Sequence, residues 1–218
     1  TLSLTGHRDT PLAREADHNF TNFAEDDTSS EMFYLQTLLI VLSILAARGE
    51  HANFDATVAE LQTLPRLLVD VKAAFESTAA ELAAAIKDES YHIFTGAGAV
   101  WPQAYYYGMC ILEEMQWIRT RPVHAADFFH GTLELLEPGV PVFLFMGEDE
   151  CRALDERVRA FLTSGVTGDE DYVIIDTAEY AIPGLDDDFR VIVSPWILSV
   201  LTTDRLSRNY ELVTKHNL

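Results

Sequence analysis

From Glu31 to Arg48 the apolar residues Met32, Leu35, Leu38, Leu39, Leu42 and Leu45 recur at three- and four-residue steps, and Phe33, Ile40 and Val41 widen the stripe almost all round. That period predicts a helix buried between layers or at a subunit interface. Gly49 follows where a helix-ending glycine belongs. Ahead of it, the apolar/polar alternation of Thr1 to Thr5 predicts a strand, and Thr10 with Pro11 marks the start of a short helix. Phe20 to Phe23 reads as one more short strand, and Ser29 or Ser30 can cap the long helix. Beyond Gly49, Phe54 to Leu64 and, after Pro65, an alanine-rich segment to Lys87 read as two helices bridging two α/β parts.

The second half alternates. Tyr91 to Thr95 predicts a strand that ends in Gly96-Ala97-Gly98, Val100 to Trp117 a helix, and Val123 to Ala126 a short strand. A helix from Thr132 to Leu136, a Glu137-Pro138-Gly139 turn and a strongly apolar strand from Pro141 to Met146 come next. They are followed by a helix from Glu150 to Leu162, a strand from Tyr172 to Asp176 and a helix from about Ser194 to Ser207. Such alternation argues for a parallel sheet with helices on both faces.

Charge narrows the function. With 15 basic and 35 acidic residues the chain carries −20, so a nucleic acid or an anionic membrane would meet repulsion over most of the surface. Leu35 to Ala47 is too short for a membrane span and carries Gln36, Thr37 and Ser43. Cys110 and Cys151 have no CxxC spacing and no histidine cluster beside them, so neither a disulfide framework, a metal site nor another cofactor is expected, and the cytoplasm fits best. The chain opens without Met in a strand already under way, which leads us to expect missing residues at both ends.

Candidate chemistry centres on His124 to Gly147. Asp127 and His130 lie three apart, and on a helical turn both would project to one side, where a carboxylate beside an imidazole suits proton transfer. The plainer reading makes Asp127 the cap of a helix beginning near Phe128. Gly96-Ala97-Gly98 between strand and helix has the shape of a backbone anion cradle, although many such turns carry two glycines for packing alone. Glu148, Asp149 and Glu150 read as acids in the first turn of a helix, and Asp186 to Asp188 as a solvated loop.

Three blocks resemble a known family: FTGAGAVWPQAYYYG, ADFFHGTLELLEPGVPVFLFMGEDE and the terminal KHN are similar to the second domain of sugar isomerase (SIS) phosphosugar-binding proteins, closest to the fructosamine-6-phosphate deglycases. LTGHRDTPLAREAD with TSSEMFYLQT is similar to the end of a first SIS domain. The resemblance implies an α/β fold, a flavodoxin-like αβα sandwich with a parallel sheet in tandem arrangement. On it, residues 1–48 complete a first domain, 49–88 form a helical linker and 89–218 a second domain.

It also implies a function. The family uses an acid in an E-F-x-H-G sequence, here Asp127, to move a proton along the C1–C2 unit of an Amadori compound. Water then splits the imine into sugar 6-phosphate and amine. A histidine matching His216 would come from the neighbouring subunit of a homodimer or higher homo-oligomer. Gly96, Ala97, Gly98, Ser29 and His130 are the expected contacts to a phosphorylated sugar or sugar-amine. Aspartate stands where the family has glutamate, and the family's Ser/Thr-rich phosphate loop would lie before Thr1. A non-catalytic phosphosugar-binding regulator, or an isomerase domain like that of glucosamine-6-phosphate synthase, are the alternatives.

Overall fold

The computed structural model describes residues 1–24, 29–166, 171–180, 185 and 187–214. The chain divides into two compact units, residues 1–63 and 64–218, with the division falling inside a long helix.

Unit 1 contains two parallel strands, β1 (Leu2–Thr5) and β2 (His18–Thr21), joined through α1 (Pro11–Glu15). Thr10 caps α1, its hydroxyl accepting from the Ala13 amide at 3.1 Å, with Pro11 in the first turn. β2 starts two residues earlier than the Phe20 to Phe23 expectation, because His18 to Thr21 pair in register with Leu2 to Thr5. The expected long helix is α2 (Ser29–Ala47). Gly49, at φ +76°, adopts the left-handed conformation that ends it, its amide bonding to Ala46 and that of Glu50 to Leu45.

The two helices expected on either side of Pro65 are a single one, α3 (Phe54–Ile86). Proline removes one main-chain hydrogen bond. In a 33-residue helix whose buried stripe runs on through Leu61, Leu64, Val71, Phe75, Ala79, Ala83 and Ile86, that single loss does not end the element.

Unit 2 holds a four-stranded, all-parallel sheet in the order β4-β3-β5-β6: β3 (Tyr91–Gly96), β4 (Arg119–His124), β5 (Val142–Met146) and β6 (Tyr172–Asp176). Counted along the unit this is 2-1-3-4, the flavodoxin-type order, which places a topological switch between β3 and β5. β4 begins four residues ahead of the Val123 expectation and stops at His124. Pro122 lacks an amide and hid the strand, but β4 is an edge strand, where proline is tolerated.

β5 is buried on both faces, which is why VFLFM reads as an unbroken apolar run. On one face Ile93, Val142, Leu144 and Met146 join Phe128, Val158 and Leu162 of the covering layer. On the other, Phe94 stacks on Phe143 at 4.9 Å and meets Tyr107 edge-on at 5.4 Å. His92 lies there too, 6.4 Å from Tyr210, and burial drives its pKa down to about 4.

The helical run 98–116 opens with a 3₁₀ turn (Gly98–Val100) and continues as α4 (Trp101–Tyr105). It then widens to π spacing over Tyr106–Glu113 and closes as α5 (Glu114–Gln116). α6 (Arg152–Phe161) covers the opposite face. The last helix is longer than its Ser194 to Ser207 expectation: α7 (Asp187–Ser199) carries Pro195 inside it, a π stretch Val200–Leu206 follows, and α8 (Ser207–Thr214) ends it. Asp187 therefore opens a helix, while Asp186 lies outside the described residues.

Candidate functional site

Parallel pairing sets the carboxyl ends of β3, β4 and β5 side by side: Gly96 is in register with His124 on one side and Phe145 on the other. Three loops leave from that edge. They are Gly96 to Ala99, His124 to Gly131, and Gly147 to Cys151, and ligands of open α/β sheets bind beyond this edge.

The β4 loop is held from inside. Phe128 is fully buried against Phe129 and Phe161, at 5.3 and 6.2 Å, and the Arg157 guanidinium lies over Phe129 at 4.2 Å. The Asp127 amide donates to the His124 carbonyl at 2.8 Å and the His130 amide to the Asp127 carbonyl at 2.9 Å. This anchoring leaves the Asp127 and His130 side chains exposed on one turn at the sheet edge. The helix cap expected of Asp127 is absent among the described residues: the next helical turn is the short Thr132–Leu135, with Gly131 at its N-cap.

His124 ends β4. Its Nδ1 accepts from the Ala126 amide at 3.1 Å, and its ring meets Trp101 edge to face with centroids 5.5 Å apart. Trp101 stands in the first turn beyond the glycine loop, with the half-exposed Tyr105 at 6.1 Å.

The glycine loop joins strand to helix in the order the sequence suggested, but its Ala99 amide is engaged within the protein. Asp149 sends Oδ2 to the Ala99 amide at 2.6 Å and Oδ1 to the Cys151 amide at 2.8 Å. Gly98, at φ +56°, leaves the space that this carboxylate fills.

Behind it Asp155 is 1% exposed, and its oxygens find no hydrogen bond of full geometry among the described residues. Burial is the main cause of its pKa rising to about 7, with the Asp149 charge adding to it and the backbone of Gly147 and Ala97 pulling the other way. An acidic pair thus backs the loop.

Two ion pairs tie the same edge together. Arg152 grips Asp176 with both terminal nitrogens and donates to the Gly147 carbonyl at 2.7 Å. Burial alone would raise the Asp176 pKa, but the Arg152 hydrogen bonds and charge lower it on balance. Arg190 clasps Glu148 through two contacts of 2.9 Å. The expected first-turn acids Glu148, Asp149 and Glu150 stand in the loop ahead of α6, which begins at Arg152 rather than Glu150; Glu148 and Asp149 are engaged there by Arg190 and by the Ala99 and Cys151 amides.

Of the predicted site residues, Gly96, Ala97, Gly98, Asp127 and His130 come to this one edge of unit 2. Ser29 is the first residue of α2 in unit 1, its side chain outside the described ones, and His216 also lies outside the described residues. His124, Asp155 and Trp101 are additions that local sequence did not single out, and Asp149, read there only as a helix-turn acid, joins them. Among the described residues no group of three or more His, Cys, Asp or Glu is placed to hold a metal ion, and no helix is long and apolar enough to cross a membrane.

No family model matches the chain. It is similar to the fructosamine deglycase of Bacillus subtilis, 29% identical over 100% of this chain and 65% of that protein. It is also similar to the fructoselysine 6-phosphate deglycase of Escherichia coli, 26% identical over 82% of this chain and 51% of that protein. The crystal structure of a phosphosugar isomerase candidate from Bacillus subtilis superposes with a TM-score of 0.87 at 26% identity, covering 99% of this chain and 65% of that one. The chain thus spans 65% and 51% of the lengths of these curated relatives. These likenesses bear out the resemblance to SIS phosphosugar proteins and the α/β fold with parallel sheets that it implied.

Proposed function

We propose that the protein carrying this chain is a phosphosugar deglycase acting on an Amadori-type sugar 6-phosphate. The observation that carries the reading is the end-to-end similarity to a fructosamine deglycase. The exposure of Asp127 and His130 on one turn at the carboxyl edge of the unit 2 sheet supports it.

In this reading the Asp127 carboxylate removes a proton from C1 of the ketoamine, giving an enaminol. The proton returns at C2, leaving a C1=N imine. Water adds to C1, the C–N bond breaks, and sugar 6-phosphate and free amine depart. Each step is a proton transfer or a hydration, which side chains can serve as general acid and base. His130 orients the turn and contacts substrate, and His216, brought from a second subunit, handles the proton on the amine or ring oxygen. The Gly96–Gly98 loop contributes contacts to the sugar in unit 2, and Ser29 contributes from the first domain. We place the enzyme in the cytoplasm, as a tandem-domain homodimer or higher homo-oligomer.

The test is incubation of the full-length protein with fructoselysine 6-phosphate, reading free lysine and glucose 6-phosphate. Release of both in equal amounts is expected. No release, under conditions where a relative bearing glutamate at this position turns over, overturns the reading. One observation favours a second reading, a phosphosugar-binding regulator: aspartate is one methylene shorter than the family's glutamate, and a misplacement on the order of 1 Å can cost ~10²-fold in rate. Binding of the sugar phosphate without any turnover would select it.

A further inference from the structure

We propose that His124 is a substrate-positioning residue of this site: an imidazole whose Nε2–H donates to an oxygen of the bound sugar at the carboxyl edge of unit 2. The proposal rests on the functional reading above for the identity of the ligand. The geometry of the residue itself is independent of that reading.

The chain turns sharply after β4, so that the Ala126 amide points back at the imidazole of His124, two residues before it, at 3.1 Å from Nδ1. An amide donates, so Nδ1 must offer its lone pair, and the ring's one proton sits on Nε2.

Trp101 fixes the ring from another side, at 5.5 Å and 74°. A tautomer and an orientation set this way are what a hydrogen-bond donor needs to act without reorganising. The donor itself is unused, because Nε2 makes no hydrogen bond among the described residues although the residue is half-buried. Its position is shared with the proposed base. The Asp127 amide bonds to the His124 carbonyl at 2.8 Å, so imidazole and carboxylate are mounted on one turn. Sugars present many oxygens, and a half-buried donor beside an aromatic ring is suited to one of them.

Two substitutions separate a binding role from a structural one. In His124→Asn the amide oxygen can take the place of Nδ1 and still accept from Ala126, but no donor reaches the Nε2 position. In His124→Gln the terminal NH₂ can reach that position. The full-length Asn variant is expected to melt like the wild type and to lose about tenfold in kcat/KM for fructoselysine 6-phosphate, the usual size of one lost neutral hydrogen bond. The Gln variant is expected to recover part of that loss. An Asn variant with full kcat/KM overturns the proposal.

A second measurement does not need turnover. Two-bond ¹⁵N–¹H spectra of the full-length protein are expected to show His124 as the Nε2–H tautomer at neutral pH, with its Nε2 signal shifting on addition of fructose 6-phosphate. An Nδ1–H tautomer, or an Nε2 signal unmoved at saturating sugar phosphate, overturns the role of His124 alone. A wild type that neither binds the sugar phosphate nor releases amine overturns the reading on which the ligand's identity rests.

Discussion

The Asp149 carboxylate accepts a hydrogen bond from the Ala99 amide at 2.6 Å across fifty residues of sequence. A strand, a Gly-x-Gly turn and a helix ordinarily leave such an amide for a phosphate. Here the anion comes from the chain itself, and it also bonds the Cys151 amide that opens α6. One carboxylate therefore fastens the loop after β3 to the loop after β5 at the topological switch. As folded, the Ala99 donor is satisfied within the protein, so any sugar contact made by this loop must come from its other groups.

Gly98→Ala tests that fastening. The residue sits at φ +56°, and a Cβ there would run into the Asp149 carboxylate. The left-handed conformation costs roughly 1–2 kcal/mol for a residue with a side chain, and a displaced Asp149 adds the loss of charge-assisted hydrogen bonds, about 1–3 kcal/mol. Urea denaturation is expected to show a destabilisation of about 2–5 kcal/mol. The loss should be less than additive with Asp149→Ala, since both break one arrangement. A Gly98→Ala protein as stable as the wild type would show that the contact carries no weight.

Asp155 makes stability depend on pH. Its native pKa of about 7 lies well above the ordinary aspartate value of 3.8. Between these values the native state holds a proton that the unfolded chain has lost, so stability falls as pH rises from about 4 towards 7 and the penalty is complete above that. A rise from 3.8 to about 7 sets an upper bound of roughly 4 kcal/mol. Asp155→Asn, neutral at every pH, is expected to be the more stable protein at pH 8 and to flatten the pH profile between 5 and 8. Parallel profiles for the two proteins would place the proton elsewhere.

Apolar periodicity made most of the elements legible. β5 announced itself as a run buried on both faces, and α2 and α6 as helices. Proline accounts for two of the misreadings: Pro122 concealed an edge strand that can do without one amide, and Pro65 suggested a break in a helix whose buried stripe continues across it. The candidate site was legible where it is local, in the turn holding Asp127 and His130. Asp149 looked like a first-turn acid, but α6 begins only at Arg152, so it stands in the loop ahead of that helix, and no pattern within a few residues could show that Ala99 shares it. Asp155 falls on an amphipathic helix among charged neighbours, and only the fold shows that this one carboxyl is inside.

The Arg190–Glu148 pair supports the same edge from β5. Both side chains are largely buried, Glu148 also accepts from the Thr177 hydroxyl at 3.0 Å, and Arg190 donates to the Thr177 carbonyl. Removing one partner leaves the other's charge with no counterpart, which for buried pairs costs about 3–5 kcal/mol. Arg190→Met is expected to destabilise by roughly 2–4 kcal/mol, somewhat below that range because the pair is not fully enclosed. Adding Glu148→Gln should return part of the loss. A double-mutant cycle with no coupling would mean that the two residues act separately.

Asp127→Asn separates catalysis from binding. The substitution keeps the size of the side chain and the main-chain bonds that hold the turn, since these run through the Asp127 amide and carbonyl, and it removes only the basicity. A base positioned at C1 contributes on the order of 10²–10⁴ in rate. Free-lysine release from fructoselysine 6-phosphate is therefore expected to fall by at least ~10²-fold in kcat, with the affinity for fructose 6-phosphate nearly unchanged. Asp127→Glu, one methylene longer, should retain turnover and raise it if the carboxylate now stands short of C1. Turnover undiminished in the Asn variant would move the base to another carboxylate and leave Asp127 as a turn residue. A wild type that binds the sugar phosphate without turning it over, with the Asn variant binding equally well, would instead make this a regulatory phosphosugar-binding protein.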